Sequence, residues 1–306
     1  SGTTPMGRLL QGDVGSGKTA VAIGACDAVL RQRLQCALMA PTEILAEQHY
    51  QSFKKAFQSN EDDIGLLTAS TKASARRTIL ENILTGKTKI LIGTHSLLNP
   101  KVIFQNLGLT IVDEQHRFGV SQRAQLRIKG IKSTNTTMPH FLAMTATPIP
   151  RSLALTLYGD LELSVLDEMP PGRLPVATSI TSQDSEATLH AELKSICKRH
   201  ERAYVVYPLI EESEKIDLNN AVTGFNKLQE IFPNKVGLLH GRLSSAEKED
   251  TINDFKEGRF CILVSTTVVE VGVDVPEATL MVIMNAERFG LSQLHQLRGR
   301  VGRSAR

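Results

Sequence analysis

The chain has 306 residues, 41% of them hydrophobic and 22% charged, which is about twice the length of a typical single domain and far from the composition of a disordered chain. Its 35 Lys and Arg against 32 Asp and Glu leave a net charge of +3, too small to argue for a polyanionic partner. No apolar run approaches the roughly 18 residues of a membrane span and no secretory signal opens the chain, so a cytoplasmic protein with no membrane partner is expected.

Cys26, Cys36, Cys197 and Cys261 are scattered among apolar neighbours without metal-ligand or disulfide-framework spacing, and all four are expected as reduced core residues. The first residue is not methionine, and Arg306 follows a glycine- and arginine-rich run with no turn to close it. A piece of a longer polypeptide is expected.

Apolar runs alternate with helix-like segments from the start. Strands are expected at 8–11, 35–40, 89–92, 109–112 and 141–144, with helices at 19–30 and 44–57. The run DEMPPGRLP at 167–175 holds three prolines and a glycine, a composition that excludes helix. A first domain at 1–166, a linker at 167–178 and a second domain at 179–306 follow from it. Beyond the linker, helices at 186–199, 220–232 and 246–255 alternate with strands at 203–207, 236–239 and 261–264. Short apolar strands separated by helices specify a parallel sheet covered on both faces, here twice over.

Residues 12–19 read GDVGSGKT, which satisfies G-x-x-x-x-G-K-[ST] and stands between an expected strand and an expected helix. Gly12, Gly15 and Gly17 would let the backbone, with Asp13, Val14 and Ser16, wrap closely enough for its amides to donate to phosphate oxygens. Lys18 would reach the β- and γ-phosphates of ATP, and Thr19 would ligate Mg²⁺. Such a loop needs an acidic partner, and the strand ending in LTIVDEQH supplies it. Asp113 could hold Mg²⁺, while Glu114 could orient or deprotonate the attacking water.

The third element is QLRGRVGR at 296–303, in which Gln296 precedes a compact turn projecting Arg298, Arg300 and Arg303. Guanidinium groups stabilise the charge that builds on a transferring phosphoryl group, an effect of about 10³ to 10⁵ in rate. Arginines so far from the phosphate loop make sense if the second domain closes over a nucleotide held by the first.

Taken in order, these motifs resemble those of superfamily 2 helicases and translocases over essentially the whole chain. That likeness implies two tandem RecA-like domains. It implies nucleic-acid contacts at Thr42 in APTE, at Gly93, Thr94 and His95 in GTH, and at Thr266 in the second half. It further implies coupling roles for Thr145 and Thr147 in TAT, and an approach of Asp274 to the ATP ribose. His116 is either a hydrogen-bonding partner across the cleft or a satisfied loop histidine, and Phe118 either a coupling contact or core.

Within the superfamily QGDVGSGKT, MAPTE, DEQHRFGV, TATPIPR, LIEES and HQLRGRVGR look like the RecG family, whose members remodel branched DNA at stalled replication forks. A monomeric ATP-driven motor on branched duplex DNA is therefore expected. The alternatives are the motor of the transcription-repair coupling factor, which typically has DEEH where Gln115 stands here, and a non-catalytic nucleotide-binding scaffold.

Overall fold

Runs of four to six apolar residues, too short for a helix and bounded by glycines or polar turns, form parallel strands throughout the chain. The computed structural model describes residues 5–58, 63–114, 138–146, 161–168, 176–181, 186–208, 214–266 and 275–302. The chain divides into two units, Ser1–Glu168 and Met169–Arg306.

In the first unit the elements run β1 (Gly7–Gly12), α1 (Lys18–Leu30), β2 (Gln35–Met39), α2 (Glu43–Phe57), β3 (Ile64–Leu67), α3 (Ala73–Leu84) and β4 (Ile90–Gly93). A 3-10 turn (His95–Leu98), β5 (Leu107–Val112), β6 (His140–Thr145) and β7 (Glu162–Leu166) complete it. The strands form one sheet in the order β3-β4-β2-β5-β6-β1-β7, parallel at every pairing.

Alternation along the strands sends one set of side chains to each face. Leu10, Cys36, Leu38, Ile90 and Ile92 meet Ala22, Cys26 and Val29 of α1 and Ala46 and Phe53 of α2. Leu9, Ala37, Met39 and Leu91 meet Ile79 and Ile83 of α3 and Leu97 of the 3-10 turn. Helices therefore cover both faces, and each fully buried large side chain such as Phe53 contributes about 1.5–3 kcal/mol by leaving water.

Local signals fix the helix ends. Thr42, in extended backbone, accepts the Leu45 N–H at 3.4 Å and starts α2, which Gln58 ends in a left-handed conformation. Helix α2 thus begins one residue before the expected 44, directly after its cap.

The second unit comprises α4 (Glu186–Lys198), β8 (Arg202–Val206), α5 (Glu214–Ile231), β9 (Val236–Leu239), α6 (Ser245–Glu257), β10 (Ile262–Ser265), β11 (Ala278–Ile283), a 3-10 turn (Ala286–Arg288) and α7 (Leu291–Arg298). Its sheet has the order β11-β8-β10-β9, again parallel. Leu193 and Ile196 of α4 and Leu228 of α5 pack on Ala203, Val205, Ile262 and Val264. Phe255 of α6 covers the other face, its ring edge-on to Tyr204 at 5.1 Å between centroids. Ser244 and Glu247 form a reciprocal capping box at the start of α6.

One expectation is corrected. Cys197 and Cys261 form a disulfide with their Cα atoms 5.5 Å apart, whereas Cys26 and Cys36 are free and buried as expected. The pairing arises because the last turn of α4 packs beside the residue that leads into β10, a juxtaposition set by the fold across 64 residues and invisible in the spacing of the cysteines.

Candidate nucleotide-binding site

Parallel strands point their carboxyl ends at one edge of a sheet, and the loops leaving that edge are where α/β proteins gather functional groups. In the first unit the pairing register places Gln11 beside Thr145, Ala143 beside Val112 and Met39 beside both Val112 and Gly93. The segments that follow β1, β5, β6, β2 and β4 therefore emerge from the same edge.

Gly12 closes β1, and a Cβ on it would collide with Ser16 Oγ and stand 3.0 Å from Leu166 Cβ. From there the chain turns tightly, with Val14 N–H donating to Asp13 Oδ1 at 2.7 Å and Ser16 N–H to Asp13 O at 3.1 Å. Gly15 and Gly17 take left-handed backbone at φ 81° and 92°, which residues with a side chain rarely adopt. Gly17 is the N-cap of α1 without a side-chain cap, so the first amides of the helix have no side-chain acceptor from that position. Lys18 and Thr19 begin α1, and the Lys18 ammonium donates to Gly12 O at 2.7 Å and Asp13 O at 2.8 Å. Ser16 Oγ is buried with no hydrogen-bond partner among the described residues.

Asp113 immediately follows β5, with its N–H donating to Met39 O at 2.9 Å. Its carboxylate is buried. Oδ2 lies 2.7 Å from His49 Nε2, and Oδ1 accepts the Glu114 N–H at 3.0 Å. Burial pushes the carboxyl pKa up, but the His49 hydrogen bond and charge, the nearby Lys18 ammonium and the Glu114 N–H together hold it below the ordinary value. Lys18 is near enough for its charge to act on the Asp113 carboxylate.

Glu114 has left-handed backbone at φ 48°, and its carboxylate accepts the Ala146 N–H at 3.4 Å just beyond Thr145, the buried last residue of β6. Lys18, Asp113, Glu114 and Thr145 are thereby assembled from three adjacent strand ends. His49 belongs to this assembly and no sequence motif marks it. Its only signal was its place with Ala46 and Phe53 on the buried stripe of α2, which is equally the signature of a core residue.

Thr42, Gly93, Thr94 and His95 follow or end strands at the same sheet edge. Thr42 caps α2, and Gly93 ends β4 so close to β3 that a Cβ would collide with the Leu67 carbonyl. Thr94 is buried, its N–H donating to Leu67 O at 3.3 Å, while His95 is exposed at the start of the 3-10 turn.

In the second unit Gln296 is buried within α7 and Arg300 is half-buried just after it, its N–H donating to Leu297 O at 2.9 Å. Gly302, at φ 69°, donates its N–H to Ala278 O at 3.4 Å and fastens that turn to the start of β11. Thr266, fully buried after β10, has its Oγ1 without a partner among the described residues. His116, Phe118, Thr147, Asp274 and Arg303 lie outside the described residues.

Residues 6–156 match the DEAD/DEAH box helicase family, and residues 187–305 match the helicase conserved C-terminal domain. The class is thus the helicase superfamily, with both of its conserved regions in one chain. The ATP-dependent DNA helicase RecG of Synechocystis sp. is 55% identical over 99% of this chain and 36% of its own length, and RecG of Bacillus subtilis is 52% identical over 97% and 43%. A solved structure of RecG bound to a three-way DNA junction superposes with a TM-score of 0.77 at 46% identity, covering 98% of this chain and 38% of that one. The chain belongs to the RecG family of ATP-dependent DNA helicases. It spans between about a third and just under half the length of the curated relatives it matches.

Proposed function

We propose that the chain is the motor region of a RecG-type helicase, which hydrolyses ATP to remodel branched DNA. The observation that carries this reading is the convergence of Lys18, Asp113 and Glu114 at one sheet edge, in a chain whose relatives are named as ATP-dependent DNA helicases. Loop amides from Gly12 to Thr19 and the start of α1 cradle the phosphates, and Lys18 exchanges the Gly12 and Asp13 carbonyls for β- and γ-phosphate oxygens.

The oxygen donors present suit a small hard cation: a hydroxyl at Thr19 and a buried, ionised carboxylate at Asp113. Among the described residues no cluster of three or more His, Cys, Asp or Glu could cage a metal by itself, which fits an ion shared with nucleotide phosphates. Bound there, Mg²⁺ would neutralise charge on the β- and γ-phosphates. Glu114 orients the attacking water and accepts its proton, and Gln296, Arg300 and Arg303 stabilise charge on the leaving phosphoryl group. Asp274 holds the ribose.

Thr42, Gly93, Thr94, His95 and Thr266 serve as phosphate-backbone contacts to DNA, with His116, Thr145 and Thr147 relaying nucleotide state to them. A monomer in the cytoplasm is the natural setting. Both helicase halves lie in one chain, and among the described residues no helix is long and apolar enough to cross a membrane.

Phosphate release by the full-length protein tests the reading. Three-way-junction DNA should stimulate it more than linear duplex does. Arg300→Ala or Arg303→Ala should lower it by about 10³-fold with nucleotide affinity retained. Stimulation by RNA polymerase and not by junction DNA would overturn the RecG-type assignment.

A further inference from the structure

His49 is buried on α2 and makes a 2.7 Å hydrogen bond to a carboxylate 64 positions away, yet it belongs to none of the motifs assigned above. The two bonds to Asp113 fall on different oxygens: Oδ2 faces His49 Nε2, and Oδ1 accepts the Glu114 amide. One partner alone would leave the carboxylate free to pivot about that contact. Two partners, one from the adjacent backbone and one from a separate helix, set both its position and its rotation. The helix is itself anchored, with Ala46 and Phe53 flanking His49 in the core, Thr42 capping its first turn and Glu43 accepting the Ser70 N–H at 3.0 Å.

A carboxylate that shares a cation with nucleotide phosphates must present a lone pair in a fixed direction, and partners one shell out commonly set that direction. We infer that His49 is a positioning residue, which holds the Asp113 carboxylate in the orientation it uses toward the divalent cation of the bound nucleotide. This rests on the reading of Asp113 as the cation-holding group. A purely structural His49 would satisfy a buried carboxylate without affecting how nucleotide affinity depends on the cation.

The test compares the affinity of the full-length protein for a fluorescent non-hydrolysable ATP analogue in Mg²⁺ and in EDTA, with folding checked by thermal melting. The ratio of the two affinities is the readout. His49→Leu fills the space without a donor and should shrink the ratio by about 10- to 100-fold, with affinity in EDTA unchanged. His49→Gln places an amide N–H at nearly the reach of Nε2 and should restore the ratio. His49→Asn, one bond shorter, should behave like leucine, and its contrast with glutamine decides the matter if the leucine variant fails to fold. A wild-type ratio in the leucine and asparagine variants would overturn the inference. Lys18→Ala separates the two levels: if it leaves analogue binding intact, the nucleotide-site reading itself fails, whereas if it weakens binding and the His49 variants keep the wild-type ratio, only the role of His49 fails.

Discussion

Replacing Lys18 with alanine should weaken ATP binding by roughly 10- to 150-fold and bring hydrolysis to background, with the melting temperature barely moved. The affinity loss follows from removing a cation that contacts phosphate oxygens, since a hydrogen bond to a charged group contributes about 1.5–3 kcal/mol. Hydrolysis falls further because the same ammonium meets charge that grows as the γ-phosphoryl group departs. The fold should tolerate the change. Lys18 is only partly buried, and its hydrogen bonds to the Gly12 and Asp13 carbonyls lie within its own loop, so losing them frees a turn and leaves the core beneath it intact. Fluorescence titration with an ATP analogue, alongside a thermal melt, reads both outcomes. Unchanged affinity in a folded variant would remove the phosphate loop from the account.

Glu114→Gln should separate binding from chemistry. The amide keeps an oxygen that can accept the Ala146 N–H, so the link between the ends of β5 and β6 survives and nucleotide should bind as in the wild type. It cannot take a proton from water. Loss of a positioned general base typically costs about 10² to 10⁴ in rate, so single-turnover phosphate release should slow by that factor. A variant hydrolysing at the wild-type rate would exclude Glu114 as the base and direct attention to another acceptor. The contrast with Lys18→Ala is informative, because one variant loses affinity and rate together and the other loses rate alone.

The parts of this site that were legible in the sequence are those whose chemistry demands contiguous residues. A loop that wraps a phosphate with its own amides must spell out glycines, lysine and threonine in order, and Gly12 to Thr19 does. Asp113 was legible by position, as the residue after an apolar run that β5 turned out to bury completely. The strands missed were short or half-exposed: β3 is four residues with an internal glycine, β7 is an edge strand with Val165 50% exposed, and β11 is an edge strand only partly buried after Ala278. His49 and the Cys197–Cys261 bond were illegible for a different reason. Each depends on a partner 64 residues away, and the contact exists only once helices have packed on the sheet. Periodicity could place His49 on a buried face but could not distinguish a core histidine from one aimed at a carboxylate.

On the proposed function, the phosphate loop and the carboxylates beside it drive rearrangement of branched DNA. ATP-dependent strand separation of a labelled three-way junction by the full-length protein tests it most directly. ATP should convert the junction to separated products, and neither the Lys18→Ala nor the Glu114→Gln protein should do so. Separation that proceeds without ATP, or that survives both substitutions, would contradict it.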